Sequence, residues 1–164
     1  MNYSLKPLFM GDVSVVLIEQ SLDLSDLEVQ GQKPFVQPVE VTGAVQYVEG
    51  VVTLRAKVHY WFDGVCDRCA EPFRHEETLP LTHILVTSLN DESNEDFVLL
   101  KDFQLPLDEL VTTDLLLSLP MKSLCREDCR GLCPQCGHNL NNGECGCRQE
   151  TVDPRLAALK DLLN

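Results

Sequence analysis

The stretch from Cys125 to Cys147 reads CREDCRGLCPQCGHNLNNGECGC and holds six of the eight cysteines of a 164-residue chain. Its clearest unit is Cys133-Pro-Gln-Cys136-Gly. Two cysteines separated by two residues can bend around one tetrahedral metal ion. Pro134 stiffens such a turn, and Gly137 permits the positive φ that often follows the second ligand. The unit therefore predicts a metal-binding knuckle.

A second unit of the same spacing, Cys66-Asp-Arg-Cys69-Ala, lies far earlier in the chain, at the end of a predicted strand. A redox-active pair of this spacing normally opens a helix, and Pro72 disfavours a helix here. A metal knuckle at a hairpin tip fits better. Ala70 stands where a glycine is usual, so this signal is weaker than the first.

The remaining cysteines are Cys125 with Cys129, and Cys145 with Cys147. A Cys-x-Cys pair can give both thiolates to one metal only in a tight geometry, so one of Cys145 and Cys147 is a candidate spare. The turn at Asn141-Asn142-Gly143 can return Cys145 to the knuckle. Two arrangements stay open: two sites of four cysteines, or one site around Cys133 and Cys136. We expect His138 to be a surface residue and not a ligand.

Compartment and ligand type favour structural zinc, as one or two ions. The N-terminus lacks the clustered positive charge of a secretion signal, and no stretch is apolar enough to span a membrane. We therefore expect a cytoplasmic protein with no membrane partner, in a reducing compartment that favours metal over disulfides. A catalytic zinc keeps an open position and usually has histidine or carboxylate ligands, whereas the supply here is almost all sulfur.

Charge and motifs restrict the function further. The 26 acidic and 13 basic side chains give a formal net charge of -13, which excludes nucleic-acid binding over the whole surface. Any RNA contact has to be local or mediated by another protein. No catalytic triad order, phosphate-binding glycine loop or nucleophile elbow is present, and no small-molecule substrate is evident. We expect a protein that is not an enzyme.

The first ninety residues alternate in the manner of strands. Strands are predicted at 13–19, 39–50, 51–64, 73–88 and 97–100, with a turn at Glu49-Gly50 and Pro80 at an edge or bulge. The acidic stretch 90–97 reads as a solvated loop, and SDLEVQ (25–30) as a short helix. A covering helix is predicted over 106–119, and a terminal helix over 153–163.

Together these elements predict an α+β fold. Its main part is a mainly antiparallel β-sheet, partly barrel-like, with one covering helix whose inward face is formed by Leu107, Leu110, Val111, Asp114, Leu115 and Leu117. A small C-terminal cysteine-rich zinc-binding segment and the terminal helix complete it. We predict a β-rich domain at 1–120 and a zinc-binding appendage with its helix at 121–164.

The order of motifs resembles one family. CDRCAEPF follows strands, a helix ends in DLLLSLP, then LCREDCRGLCPQCGHNLNNGECGC follows, and DPRLAALKDLL closes the chain. Over residues 13–163 this pattern resembles the YceD family, named for accumulation of the large ribosomal RNA, in the members that carry the full cysteine set. The resemblance implies a cytoplasmic, non-enzymatic factor for 23S rRNA accumulation or processing in large-subunit biogenesis. Some members lack much of the C-terminal cluster, which implies that the metal supports the fold.

Three functional hypotheses follow. The first is direct contact with ribosomal RNA through the least acidic region, whose candidate residues are Lys122, Arg126, Arg130, Arg148 and Arg155. The second is an acidic adaptor that holds a basic ribosomal or assembly protein, because opposite charges speed encounter. The third, which we do not favour, is a thiol oxidoreductase that uses Cys66 and Cys69.

Overall fold

The structure is a computed structural model, and it describes residues 2–88 and 97–147. The acidic stretch 90–96, the predicted terminal helix and the candidates Arg148 and Arg155 lie outside the described residues. The described elements are β1 (Asn2–Ser4), α1 (Lys6–Phe9), β2 (Val15–Leu22), β3 (Val39–Val48), β4 (Val51–Val65), β5 (Pro72–Val86), β6 (Phe97–Leu99), β7 (Gln104–Pro106), α2 (Leu107–Ser118) and a 3₁₀ turn (Leu140–Asn142).

The main sheet has five strands in the order β2-β3-β4-β5-β6. All pairs are antiparallel except β5 with β6, which run parallel. A second sheet joins β1 to β7. The α+β class and the mainly antiparallel sheet are therefore confirmed, and each predicted strand in the described residues is found.

The barrel-like closure is wrong, because the sheet is open. The strands β2 and β6 form its two ends and do not pair with each other. The central strands β4 and β5 instead pair along their whole length, down to Val65 opposite Pro72, whereas β3 stops where Glu40 meets His59. Beyond that point β4 and β5 form a two-stranded ribbon. Closure would need β2 to pair with β6, which in the described residues is only three residues long and pairs with β5 only over residues 84–86.

The hairpin between β3 and β4 turns at the predicted residues. Glu49 and Gly50 both have positive φ, at 51° and 88°. Two positive φ angles in a two-residue loop are the signature of the turn that matches the twist of paired strands.

Pro80 lies in the part of β5 that is paired only with β4 among the described residues. A missing N–H costs no ladder bond there, which confirms the edge position.

The core lies between one face of the main sheet and the helix α2. Alternate residues of the strands, such as Val41, Leu54 and Val58, are fully buried in one cluster with Leu107, Val111 and Leu115 of α2. Burial of such side chains contributes about 1.5–3 kcal/mol each. The covering helix is confirmed.

Two details of the helical predictions are wrong. Leu117 is 80% exposed, because it lies two residues, or about 200°, beyond the buried position 115 on a helix of 3.6 residues per turn. The segment 25–30 forms a turn instead of a helix. There Ser25 donates its backbone N–H to Asp23 Oδ1 (3.0 Å), and Leu27 donates to the carbonyl of Leu24 (2.9 Å). An aspartate that bonds the backbone two residues on favours a turn over a helix.

Candidate metal centres

The ribbon of β4 and β5 carries the first knuckle at its tip. The loop 66–71 is closed by Ala70, whose N–H donates to the carbonyl of Cys66 (2.8 Å), and by Cys66, whose N–H donates to the carbonyl of Glu71 (2.9 Å). Ala70 takes a φ of 58°, the conformation that glycine adopts without cost. The knuckle therefore forms without the glycine that its sequence lacks.

The segment after α2 docks on this knuckle and brings two more thiols to it. Asp67 donates its N–H to the carbonyl of Ser123 (2.8 Å), and its Oδ2 accepts the N–H of Ser123 (2.7 Å). Arg68 donates from Nη1 to the carbonyl of Cys129 (2.9 Å). These bonds place Cys125 and Cys129 beside the ribbon tip, although they follow Cys66 by about sixty residues.

The first tetrad consists of Cys66, Cys69, Cys125 and Cys129, whose sulfur atoms all lie within 4.8 Å of one another. Two Sγ–Sγ distances, Cys66 to Cys129 and Cys69 to Cys125, are 3.7 Å. Four sulfurs at ~2.3 Å from a tetrahedral ion are separated by ~3.8 Å. The four thiols therefore fit a tetrahedral ion, and this tetrad could hold one.

The second tetrad consists of Cys133, Cys136, Cys145 and Cys147, with sulfurs also within 4.8 Å. Its knuckle repeats the first, since Gly137 donates its N–H to the carbonyl of Cys133 (2.9 Å) at a φ of 73°. The positive φ predicted for Gly137 is confirmed. The 3₁₀ turn Leu140–Asn142 and Gly143 then return the chain to the knuckle.

Of the two arrangements left open by the sequence, the structure has two groups of four. Both Cys145 and Cys147 belong to the second tetrad, so neither of these candidate spares is left over. The turn at 140–143 returns the chain to the knuckle, and both Cys145 and Cys147 therefore reach Cys133 and Cys136. His138 is exposed and outside both tetrads, as expected. All eight cysteines are described, and none forms a disulfide.

Charge within each tetrad is unevenly distributed. Burial by itself would raise the pKa of Cys66, yet backbone N–H groups of Cys125, Cys69 and Arg68 lower it to about 6. Burial and neighbouring thiols raise the pKa of Cys125 to about 12.

The second tetrad shows the same contrast. Backbone N–H groups of Cys136 and Gln135 lower the pKa of Cys133 to about 6. The hydrogen bond with Cys136 and burial raise the pKa of Cys147 to about 12. Four thiolates this close repel one another unless a cation joins them.

Metal binding is therefore expected to release protons. The pKa values of Cys69 and Cys125 are raised above 9.0, so both thiols are protonated at pH 7, as are Cys145 and Cys147. Because only thiolates bind metal, at least two protons should leave per ion, whether or not the metal-free segment is folded, and affinity should rise with pH. Calorimetric titration of the metal-free full chain at pH 7, in buffers of different ionisation enthalpy, measures this number. Release of fewer than two protons per ion would contradict it.

The candidate RNA-binding residues of this region are exposed on the segment that carries the tetrads. Lys122 is exposed, Arg126 contacts Asp128 (3.3 Å) and Asn141 Oδ1 (2.8 Å), and Arg130 contacts Glu144 (3.8 Å). The structure thus brings three of the five predicted residues to one segment. The ion pairs of both arginines are open to solvent.

Two residues of the centres escaped the sequence analysis. Asn141 donates from Nδ2 to Cys129 Sγ (3.3 Å), and its hydrogen bond is the largest cause of the lowered pKa of Cys129. Arg68, inside the first knuckle, also accepts the N–H of Leu132 at its carbonyl (3.1 Å). Sequence spacing gives no signal for these contacts, because each depends on how one knuckle lies against the other.

The family comparison covers the ribbon and both tetrads. The model of the family described as "Large ribosomal RNA subunit accumulation protein YceD" matches residues 54–163. The chain belongs to the YceD family. Uncharacterized proteins of Mycobacterium tuberculosis and Mycobacterium bovis are each 38% identical to it over 104 residues, which is 61% of this chain and 50% of the relative.

The chain thus spans about half the length of these curated relatives. No solved structure matches it significantly. In residues 2–88 and 97–147 of this YceD family member, no helix is long and apolar enough to span a membrane.

Proposed function

We propose that this chain is a non-enzymatic factor for the accumulation or processing of 23S rRNA in large ribosomal subunit biogenesis. The observation that carries the proposal is the family match, since the family is described by ribosomal RNA accumulation and the match spans the ribbon and both tetrads. A cytoplasmic location, where ribosomes are assembled, is part of the proposal.

The metal in this proposal is zinc, with a structural role and one ion in each tetrad. Four-cysteine ligand sets of tetrahedral size are typical of closed structural zinc sites. When bound, zinc would neutralise part of the thiolate charge and hold the segment 121–147 on the ribbon. The ligands would be the eight cysteines named above. A closed sulfur set leaves no position for a reacting water, which is the reason for proposing no enzymatic activity.

Direct RNA contact, in this proposal, uses Lys122, Arg126 and Arg130. The side chains of the two arginines are 49% and 57% exposed, and their acidic partners 83% and 86%. Exposed pairs of this kind contribute little, about 0–1 kcal/mol, so a phosphate can replace the carboxylate without large cost. The net charge of the chain opposes unspecific binding, which makes a local site the form of contact that fits.

The second candidate function is an adaptor for a basic ribosomal or assembly protein. The net charge of -13 favours it, because an acidic surface attracts a basic partner over a distance of about 10 Å at moderate salt. In this version ribosomal RNA is reached through the partner.

Crosslinking in cells tests the two candidates. Cells that lack the chain should show a reduced ratio of 23S to 16S rRNA, restored by the wild-type chain. Ultraviolet crosslinking, purification under denaturing conditions and RNA sequencing should recover a defined stretch of 23S rRNA or its precursor. The double variant R126A/R130A should lose most of this signal. In vitro, the slope of log affinity for RNA against log salt concentration should become shallower by about two, which corresponds to two lost phosphate contacts.

The matched control is the double variant R55A/K57A. Both residues lie on exposed positions of β4, away from the tetrads, and their removal changes the net charge equally. Equal loss in both variants would indicate a charge effect and contradict the local site. An unchanged 23S to 16S ratio in cells without the chain would contradict the function itself. Purified chain that carries no enriched RNA after crosslinking would favour the adaptor.

A further inference from the structure

The two tetrads differ in burial and in the way the chain builds them. In the first, Cys66, Cys69 and Cys129 are buried, and the thiols come from two segments about sixty residues apart. In the second, only Cys133 is buried and Cys136 is exposed, and all four thiols come from residues 133–147. One tetrad is thus a buried link between the ribbon and the segment, and the other is a local, solvent-facing loop.

A single side chain joins the loop of the second tetrad to a sulfur of the first. Asn141 lies between Cys136 and Cys145, and its Nδ2 donates to Cys129 Sγ (3.3 Å). Its Oδ1 accepts the N–H of Arg130 (2.8 Å) and Nη2 of Arg126 (2.8 Å). Asn141 also donates from its backbone N–H (3.0 Å) and from Nδ2 (2.8 Å) to Asn139 Oδ1 in its own turn. Its position therefore depends on closure of the second loop, and its contacts reach the first tetrad.

Backbone bonds fix the same junction. Leu140 donates its N–H to the carbonyl of Gly131 (2.9 Å), and Leu132 donates to the carbonyl of Arg68 in the first knuckle (3.1 Å). Opening of the second loop would release the bond of Leu140 and leave the bond of Leu132 without this neighbouring support. Groups that hydrogen-bond a metal-binding sulfur typically alter metal affinity 10- to 100-fold when they are lost.

We propose that the second tetrad is an exchangeable metal site, and that Asn141 couples its occupancy to the stability of the buried first tetrad. This inference rests on the metal-binding part of the proposed function. With the second loop closed, Asn141 donates a hydrogen bond to Cys129 Sγ, and this bond stabilises metal binding by the first tetrad. With the second loop open, Cys129 loses this donor and the first tetrad exchanges its metal faster.

The order of release can be measured on the full zinc-loaded chain. The chain is treated with a limiting amount of chelator and a thiol-alkylating reagent, and the modified cysteines are identified by mass spectrometry. We expect Cys136, Cys145 and Cys147 to react before Cys66, Cys69 and Cys129. Zinc release followed with a coloured chelator should show two phases of equal size.

The coupling is tested with Asn141→Ala, and Asn142→Ala is its matched control. Asn142 is the exposed neighbour in the same turn and contributes its backbone N–H there (3.0 Å to the carbonyl of Asn139). Asn141→Ala should speed alkylation of Cys129 and the slow zinc phase about 10-fold or more, whereas Asn142→Ala should leave both unchanged.

A second variant separates loss of the donor at position 141 from loss of its acceptor contacts with the two arginines. Asn141→Asp keeps the acceptor oxygen for Arg130 and Arg126 but replaces the donor to Cys129, which also donates to Asn139 Oδ1 (2.8 Å), with a carboxylate. It should speed release from the first tetrad at least as much as the alanine variant, while the main sheet keeps its amide protection.

The outcomes separate this inference from the function on which it rests. A full chain that binds no zinc when purified or reconstituted would overturn the metal part of the proposed function. A chain that binds two ions, but reacts first at the buried cysteines, would overturn the order of release. Equal rates in the variants at positions 141 and 142 would overturn the coupling.

Discussion

Removal of the proposed zinc ions from the full chain is expected to unfold residues 121–147 and to leave the five-stranded sheet folded. The apolar cluster around the first tetrad consists of Cys66, Cys69 and Cys129, with Phe73, Leu124 and Cys125 packed against it. Apart from its cysteines, the segment 121–147 therefore contributes one leucine to this cluster. A cluster this small cannot offset the backbone entropy of the segment, about 1–2 kcal/mol per residue.

The metal ions are expected to supply what the apolar contacts do not. Structural zinc sites bind with about 10–16 kcal/mol at pH 7, and this binding free energy becomes folding free energy where no site exists in the unfolded chain. The main sheet has its own core with α2, which contains no cysteine. Its stability should therefore depend little on the metal.

Hydrogen exchange with mass spectrometry measures both parts in one experiment. After chelation, amides in 121–147 should exchange at the rate of an unfolded chain, while those of β3 and β4 keep their protection. Chelator presaturated with zinc is the control for direct effects of the reagent. Retained protection in 121–147 would show that the segment folds without metal, and loss of protection in the sheet would show that the two parts unfold together.

The sequence could predict elements whose pattern is local. Alternation of buried and exposed residues identifies β3 and β4, and the positive φ angles at Glu49 and Gly50 follow from the short loop between them. The helix α2 was identified by its proline and acidic start and by leucines at helical spacing. In each case the physical cause acts within a few residues, so it is visible in one segment.

Features that depend on distant contacts could not be predicted in the same way. The pairing of Cys66 and Cys69 with Cys125 and Cys129 depends on the length by which β4 and β5 extend beyond β3. Whether the sheet closes also depends on a distant contact, because β2 and β6 would have to pair with each other. The hydrogen bond from Asn141 to Cys129 requires both tetrads to be in place, so spacing along the sequence carries no sign of it.

The loop 23–38 shows the same limit for the core. The sequence indicates a short helix at 25–30 and then a connection with glycine and proline, yet Phe35 is fully buried between this loop and the sheet. Its ring packs edge-on against Tyr60 (5.8 Å between centroids) and Phe62 (6.1 Å) of β4. The loop is attached beside it by the N–H of Asp63, which donates to the carbonyl of Pro34 (2.9 Å).

Phe35→Ala is therefore expected to lower the free energy of unfolding of the sheet by about 3–5 kcal/mol. Truncation removes the buried ring and leaves a cavity whose floor is formed by strand residues held by backbone hydrogen bonds, so the sheet cannot move to fill it. Urea unfolding of the zinc-loaded chain, followed by tryptophan fluorescence from Trp61 in β4, measures the change. The neighbour Val36 is 62% exposed, and Val36→Ala should change the free energy of unfolding by less than about 0.5 kcal/mol.

The effect of Phe35→Ala on the metal centres distinguishes two ways in which the ribbon could be built. Phe62 also contacts Phe73 (6.1 Å), which packs against the thiols of the first tetrad. Because β4 and β5 pair along their full length, we expect the ribbon to hold Phe73 in place without Phe35, and zinc release to stay unchanged in the folded variant. Faster zinc release in Phe35→Ala would show instead that the tetrad depends on a continuous row of packed rings.

The stability measurement tests the core separately. If Phe35→Ala lowers the free energy of unfolding by less than about 1 kcal/mol, the loop closes over the cavity, and the role of Phe35 in the core is contradicted.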